Sequence, residues 1–303
     1  GGTTGSGTYI SNTTDGEVIL APAAGAEFTG TTLPAGWSSG TWASGGTATV
    51  GSGLLTVDGA QASTTASFGP GRSLEFMATF QAANFQNVGL AADGLFTSPW
   101  VVIGEGGSTG GVYARSDSTA DVLLSASTLG SPHRYRIDWN AGTFVFYVDG
   151  VQVATMTKTV ATNMVPIVSD FNVGGPAVSV DWLRLTPYSA SGSYTSRVFD
   201  SGGVTTWGAA SWTSSLPVGT SLAMLARRGG TPVPDGSWTS FIAIPSSGSS
   251  ISGTGRYLQY RADLATTDGT VTPELRDVTI QCLSTPDVTP PVITNVVSTP
   301  AGD

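Results

Sequence analysis

His133-Arg-Tyr-Arg-Ile-Asp-Trp139, then Asn140-Ala-Gly142, then Thr143-Phe-Val-Phe-Tyr-Val148, closing on Asp149-Gly150 and reopening at Val151, is the stretch that decides the fold. In an extended chain successive side chains point to opposite faces, so Tyr135, Ile137 and Trp139 share one face and Arg134, Arg136 and Asp138 the other. Asn140-Ala-Gly142 and Asp149-Gly150 supply the turns, and the stretch reads as a β-hairpin followed by a third strand.

Working outward, short runs of the same period, bounded by turn residues, recur at 16–20, 54–57, 74–80, 88–92, 100–103, 111–115, 134–139, 143–148 and 178–185. No dozen residues keep apolar positions at i, i+3, i+4 and i+7 without Gly, Pro or a β-branched cluster interrupting them, so helices are not expected. Regular short strands argue for a sandwich or barrel. A Ser- and Gly-rich seam at 187–192 separates a second set of runs at 196–200, 210–213, 221–227, 238–244, 256–264 and 275–281. The expected organisation is all-β: two tandem antiparallel β-sandwiches, residues 1–188 and 189–284. A Pro-rich linker over 285–303 then leads into a truncated immunoglobulin- or fibronectin-like domain.

Composition narrows the function classes. Of 303 residues 40% are hydrophobic and 11% charged, with 41 Gly and 17 Pro, which is an ordered chain rather than a disordered one. Lys158 is the only lysine, and a formal net charge of −9 repels phosphate backbones, so nucleic acid is not an expected partner. No apolar run reaches the roughly 20 residues needed to span a bilayer as a helix, so membrane insertion is not expected. The single cysteine, Cys282, excludes an internal disulfide framework and is expected to be buried packing. Few lysines and many Thr, Ser and Gly suit a secreted or cell-surface protein.

Three pieces in order carry a family resemblance. Glu27-Phe-Thr-Gly-Thr-Thr-Leu-Pro-Ala-Gly-Trp37 looks like an opening EF-x-G-T-x-L segment. His133 to Gly150 looks like an H-x-Y-x-I-x-W hairpin closing on F-Y-V-D-G, and Val180-Asp-Trp-Leu-Arg-Leu185 like a final V-D-Y-V-R-V strand. Together they resemble the concanavalin A-like jelly rolls, which include legume lectins, laminin-G modules and laminarinase-type glycoside hydrolases. The second half is similar to galactose-binding-like jelly-roll modules through Arg197-Val-Phe-Asp-Ser-Gly202, Thr231 to Trp238 and Gly255 to Ala262. The two resemblances together imply the architecture of bacterial multidomain exoproteins.

The hydrolases of the first family carry Glu-x-Asp-x-Glu or Glu-x-Asp-x-x-Glu on one strand. Glu17, Glu27, Glu75, Glu105 and Glu274 stand in no such pattern. The expectation is therefore a non-catalytic carbohydrate-recognition or spacer fragment, not an enzyme, whose partners are a polysaccharide or cell-surface glycan and the neighbouring domains of its own chain. A stalk, adhesin or filament subunit is the alternative, and a hydrolase with another carboxylate pair the third reading. Stacking aromatics flanked by polar groups are the chemistry of sugar recognition. Trp100, Glu105, Tyr113, Arg115 and Asp117, on two runs joined by the Gly104–Gly111 turn, are the candidate ligand site. Trp37, Trp42, Trp139 and Trp182 are expected in the core. The resemblance also implies a structural Ca2+ held by Asp181 with oxygens near Glu27 and Gly30. His133, the sole histidine, has no serine or cysteine in a nucleophile-elbow setting.

Overall fold

The computed structural model describes residues 2–13, 16–107 and 110–283, and the expected linker over 285–303 lies outside them. Every regular element among the described residues is a strand. In chain order they begin with β1 (Thr3–Thr4), β2 (Thr8–Ile10), β3 (Val18–Leu20), β4 (Pro22–Ala26), β5 (Trp37–Thr41), β6 (Thr47–Gly51), β7 (Leu54–Asp58) and β8 (Ala60–Thr64). Then come β9 (Arg72–Thr79), β10 (Gln86–Ala91), β11 (Trp100–Gly104), β12 (Val112–Ser116), β13 (Val122–Ser125), β14 (His133–Trp139), β15 (Thr143–Val148), β16 (Val151–Thr157), β17 (Val165–Asp170) and β18 (Val178–Tyr188). The chain closes with β19 (Ser191–Thr195), β20 (Phe199–Ser215), β21 (Thr220–Gly229), β22 (Ile242–Ile244), β23 (Ser249–Ser250), β24 (Thr254–Thr266) and β25 (Glu274–Leu283).

The first unit is an antiparallel sandwich of jelly-roll type. A seven-stranded sheet ordered β13-β12-β11-β10-β17-β8-β5 faces an eight-stranded one ordered β16-β15-β14-β9-β18-β7-β6, with β4 beside β18. The hairpin behaves as its alternation requires. Tyr135, Ile137 and Trp139 are fully buried and share one core with Phe144 and Phe146 of β15 and with Val101, Ile103, Val112 and Ala114 from the opposite sheet. Trp139 and Trp182 are buried as expected, and Trp37 packs on the core edge-on to Phe28, with ring centroids 5.3 Å apart. Trp42 departs from expectation. Its side chain leaves the core and hydrogen-bonds Ser169 Oγ through Nε1 at 3.0 Å on the outer face of the seven-stranded sheet.

The second unit is one continuous ten-stranded sheet. β20 pairs with β24 through its first half and with β25 through its second, so the sheet turns around a core of Trp207, Met224, Leu258 and Leu264. Sheet pairing cuts across the expected boundaries. β1 pairs with β19 and β3 with β25, so residues 3–20 belong to the second unit although they precede the first. Val18 and Leu20, on the strand between β25 and the edge strand β2, bury themselves in that unit's core, and Leu20 N–H donates to Thr272 Oγ1 at 2.9 Å. Covering an otherwise open strand edge is the physical reason for the exchange. Cys282 is exposed rather than buried, since β25 ends on the solvent side.

Candidate functional site

The outer face of the seven-stranded sheet carries a groove. Register places Gly104 opposite Asn87, Asn87 opposite Ser169 and Ser169 opposite Gln61, which makes a row of three polar side chains beside a glycine across four strands. Gly89 lies beside Val102, where an added Cβ would come within 2.5 Å of Val101 O, so the floor admits nothing larger. The walls come from loops. Trp42, Phe85, Leu95, Phe96 and Phe171 stand with Trp100 and Arg115 around a cavity of about 350 Å3 over Asn87 and Ser169. Phe96 and Trp100 lie 5.5 Å apart and Phe85 and Phe171 6.3 Å apart between ring centroids. Phe85 and Phe96 both sit in the left-handed region, at φ 69° and 60°. That backbone costs a bulky residue about 1–3 kcal/mol and persists where surrounding structure imposes it, most often at binding sites.

Arg115 is fixed at the end of this floor. Its Nη1 donates to Asn87 Oδ1 at 2.8 Å and to Glu105 O at 3.2 Å, and its Nε to Asp121 Oδ2 at 3.0 Å. The guanidinium also lies 5.9 Å from the Trp100 ring centroid.

Of the residues expected to bind ligand, Trp100 and Arg115 line the cavity together, and Tyr113 stands opposite Gly104 on the neighbouring strand. Glu105 and Asp117 are turned elsewhere. Glu105 is fully buried, with Oε1 accepting from Gly111 N–H at 3.2 Å and no hydrogen-bond partner for Oε2 among the described residues. Burial pushes its pKa up, against the opposing pulls of the Gly111 N–H and Arg115. Asp117 takes Lys158 Nζ at 2.7 Å and the Ser98 hydroxyl. Sequence reasoning missed Phe85, Phe96 and Phe171, which sit in loops without periodicity. It also missed Asn87 and Ser169, which looked like ordinary strand residues.

Of the residues implied for Ca2+, Glu27 has its carboxylate committed to a cationic side chain. Both oxygens of Glu27 are engaged by Arg184, from Nε at 3.0 Å and Nη2 at 3.1 Å, and Oε2 also accepts from Asn12 N–H. Asp181 carries a pKa raised by burial and by the nearby Glu27 charge, and Gly30 lies exposed at φ 93°. No group of three metal-ligating side chains occurs among the described residues.

A sandwich with a groove over one sheet defines a jelly-roll domain. The model of the family described as glycosyl hydrolases family 16 matches residues 107–184, from the turn after Glu105 through the closing strand. No curated protein matches the chain. Among solved structures, a β-agarase A in complex with oligoagarose is 13% identical, with 56% of this chain and 92% of that one covered and a TM-score of 0.42. A Bacillus licheniformis β-glucanase is 17% identical, covering 54% and 96% with a TM-score of 0.39. An endo-β-1,3-glucanase from Pyrococcus furiosus is 11% identical, covering 59% and 97% with a TM-score of 0.42.

The family match overturns two expectations, that the chain is a non-catalytic recognition or spacer fragment and that it is not an enzyme. Both rested on one missing spacing pattern. A missing pattern on a single strand does not exclude carboxyls that the sheet brings together from different segments. Glu105 and Asp121 both hydrogen-bond Arg115, the first through its backbone carbonyl and the second through its carboxylate.

Proposed function

We propose that the first unit is a glycoside hydrolase that lays a polysaccharide chain along the groove over the seven-stranded sheet. The observation that carries this is the groove itself: a polar floor under aromatic walls, two of them held at positive φ, in a chain whose residues 107–184 match a glycoside hydrolase family. Aromatic faces stack on the apolar faces of sugar rings while Asn87, Ser169 and Arg115 take hydroxyls.

Glycosidic cleavage needs one carboxyl that gives a proton and one that acts as base or nucleophile. Glu105, whose proton burial favours, is the candidate acid, and Asp121, 39% exposed beside Arg115, the candidate partner. Since Glu105 is enclosed, protonation of a leaving oxygen requires that docking of substrate uncover it. The second unit, through its likeness to galactose-binding-like modules, serves as an attached accessory, and composition supports an extracellular location.

Release of reducing ends from agarose, laminarin and mixed-linkage β-glucan tests the reading. The wild type should turn over one of them, and Glu105→Gln and Asp121→Asn should each lower kcat by about 100-fold or more. No turnover of any glycan, or full activity in both variants, would overturn it.

A further inference from the structure

Ser131, His133 and Asp149 meet at the mouth of the β14–β15 hairpin, on the sheet opposite the groove. Ser131 lies in the bend just before β14, two residues ahead of His133. Asp149 and Gly150 both have positive φ, 48° and 80°, with Val148 paired to Val151, which is the two-residue turn that matches strand twist. That turn brings the Asp149 carboxylate back against the start of β14. Its Oδ1 accepts from Arg134 N–H at 3.0 Å, and its Oδ2 lies 2.7 Å from His133 Nδ1. His133 Nε2 in turn lies 3.1 Å from Ser131 Oγ.

The order of contacts sets the roles. Burial opposes ionisation of Asp149, but the hydrogen bonds from His133 and from Arg134 N–H outweigh it and hold its pKa below the usual carboxylate value. A carboxylate on Nδ1 keeps the imidazole proton there, which leaves Nε2 as the acceptor for the serine hydroxyl. The His133 side chain is 24% exposed and Ser131 half-buried, so solvent-borne molecules reach both.

We propose that Ser131, His133 and Asp149 form a second reactive site, independent of the groove, in which Ser131 takes the acyl group of small esters such as O-acetyl substituents. Ser131 Oγ bonds to the ester carbonyl carbon as its proton passes to His133 Nε2. The carbon–oxygen bond to the alcohol then breaks, and the leaving oxygen takes that proton. Water repeats the sequence, giving its proton to Nε2 and its oxygen to the acyl carbon, and releases a carboxylic acid and free Ser131. Asp149 touches the imidazole and not the substrate, and is a positioning residue.

The test treats the protein with a fluorophosphonate probe and with p-nitrophenyl acetate, and maps adducts by mass spectrometry. The adduct should fall on Ser131 in preference to the exposed Ser127 of the same molecule, with acetate release that Ser131→Ala abolishes. His133→Ala should slow labelling by about 100-fold or more. Asp149→Asn should slow it too and remove the downfield Nδ1–H proton resonance seen in the wild type. Equal labelling of Ser131 and Ser127, an unchanged rate in His133→Ala, or ester cleavage that survives Ser131→Ala would each overturn the proposal.

Discussion

Arg184 is 6% exposed and carries its charge into the seam between the two units, where Glu27 meets it with both oxygens and Thr13 Oγ1 lies 3.0 Å from Nη2. Removing one member of a buried pair leaves the other charged and unmatched, so Glu27→Gln should lower unfolding free energy by about 3–5 kcal/mol in urea titrations. A loss under 1 kcal/mol would mean that the pair is well hydrated. Because Arg184 already neutralises both Glu27 carboxylate oxygens, a chelator should leave the melting temperature of the wild type unchanged, and a fall would show that a cation binds there despite the pair. Asp170 behaves differently. Burial raises its pKa to about 6, against hydrogen bonds from Gln86 and from the Asn172 N–H. A raised carboxyl pKa means that the folded state binds the proton more tightly than the unfolded one. Its contribution is therefore largest below the unfolded value near 3.8 and is lost as pH rises through about 6. Carboxyl NMR titration should show one aspartate near 6, and Asp170→Asn should flatten the stability curve between those values. An Asp170 midpoint near 3.8 would overturn this.

Strands with one wet face, such as β14 and β15, were legible, whereas β8 and β17, with two dry faces, were not read at all. The hairpin at 133–148 alternates because its outer face meets water, and each buried position could be read from the period. β8 and β17 are buried at every position, Ala60 to Thr64 and Val165 to Asp170, because core lies on one side and the loop-covered groove on the other. The period was thereby erased, and with it the sequence signal for the groove floor. Loop aromatics such as Phe85 and Phe96 announce themselves only through backbone angles. The Glu27–Arg184 pair, separated by 157 positions, has no local signature at all. β3 makes a testable case of a strand whose pattern was readable and whose partner was not. Leu20 is fully buried in the second core, so Leu20→Ala should cost about 2–5 kcal/mol and act on the second unit. Hydrogen exchange that speeds up in β9 and β14 instead of β24 and β25 would contradict the pairing.

At the scale of the molecule, the chain passes between units twice, side by side. Ala21 leads from β3 into the first unit, Ser189 leads out of it, and Ser189 N–H donates to Ala21 O at 2.8 Å. Tyr188 N–H reaches across to Gly269 O at 2.8 Å as well. Two hydrogen-bonded crossings leave little slack, so calorimetry should show one cooperative transition, and proteases should spare 187–192. Two resolved transitions, or early cleavage near Ser191, would mean that the units move separately.

The double crossing also fixes an order of events at the ribosome. Val18 pairs with Leu275, so β3 waits for a strand made far later in the chain. At usual elongation rates of about 5–20 residues per second, the delay between those two residues is roughly 13 to 50 seconds. Through that interval the jelly roll can close while β3, with Val18, Ile19 and Leu20 in sequence, has only β2 to pair with. The nascent chain thus carries an apolar strand without its sheet until β25 emerges, and any holding factor that shields it during synthesis would act there.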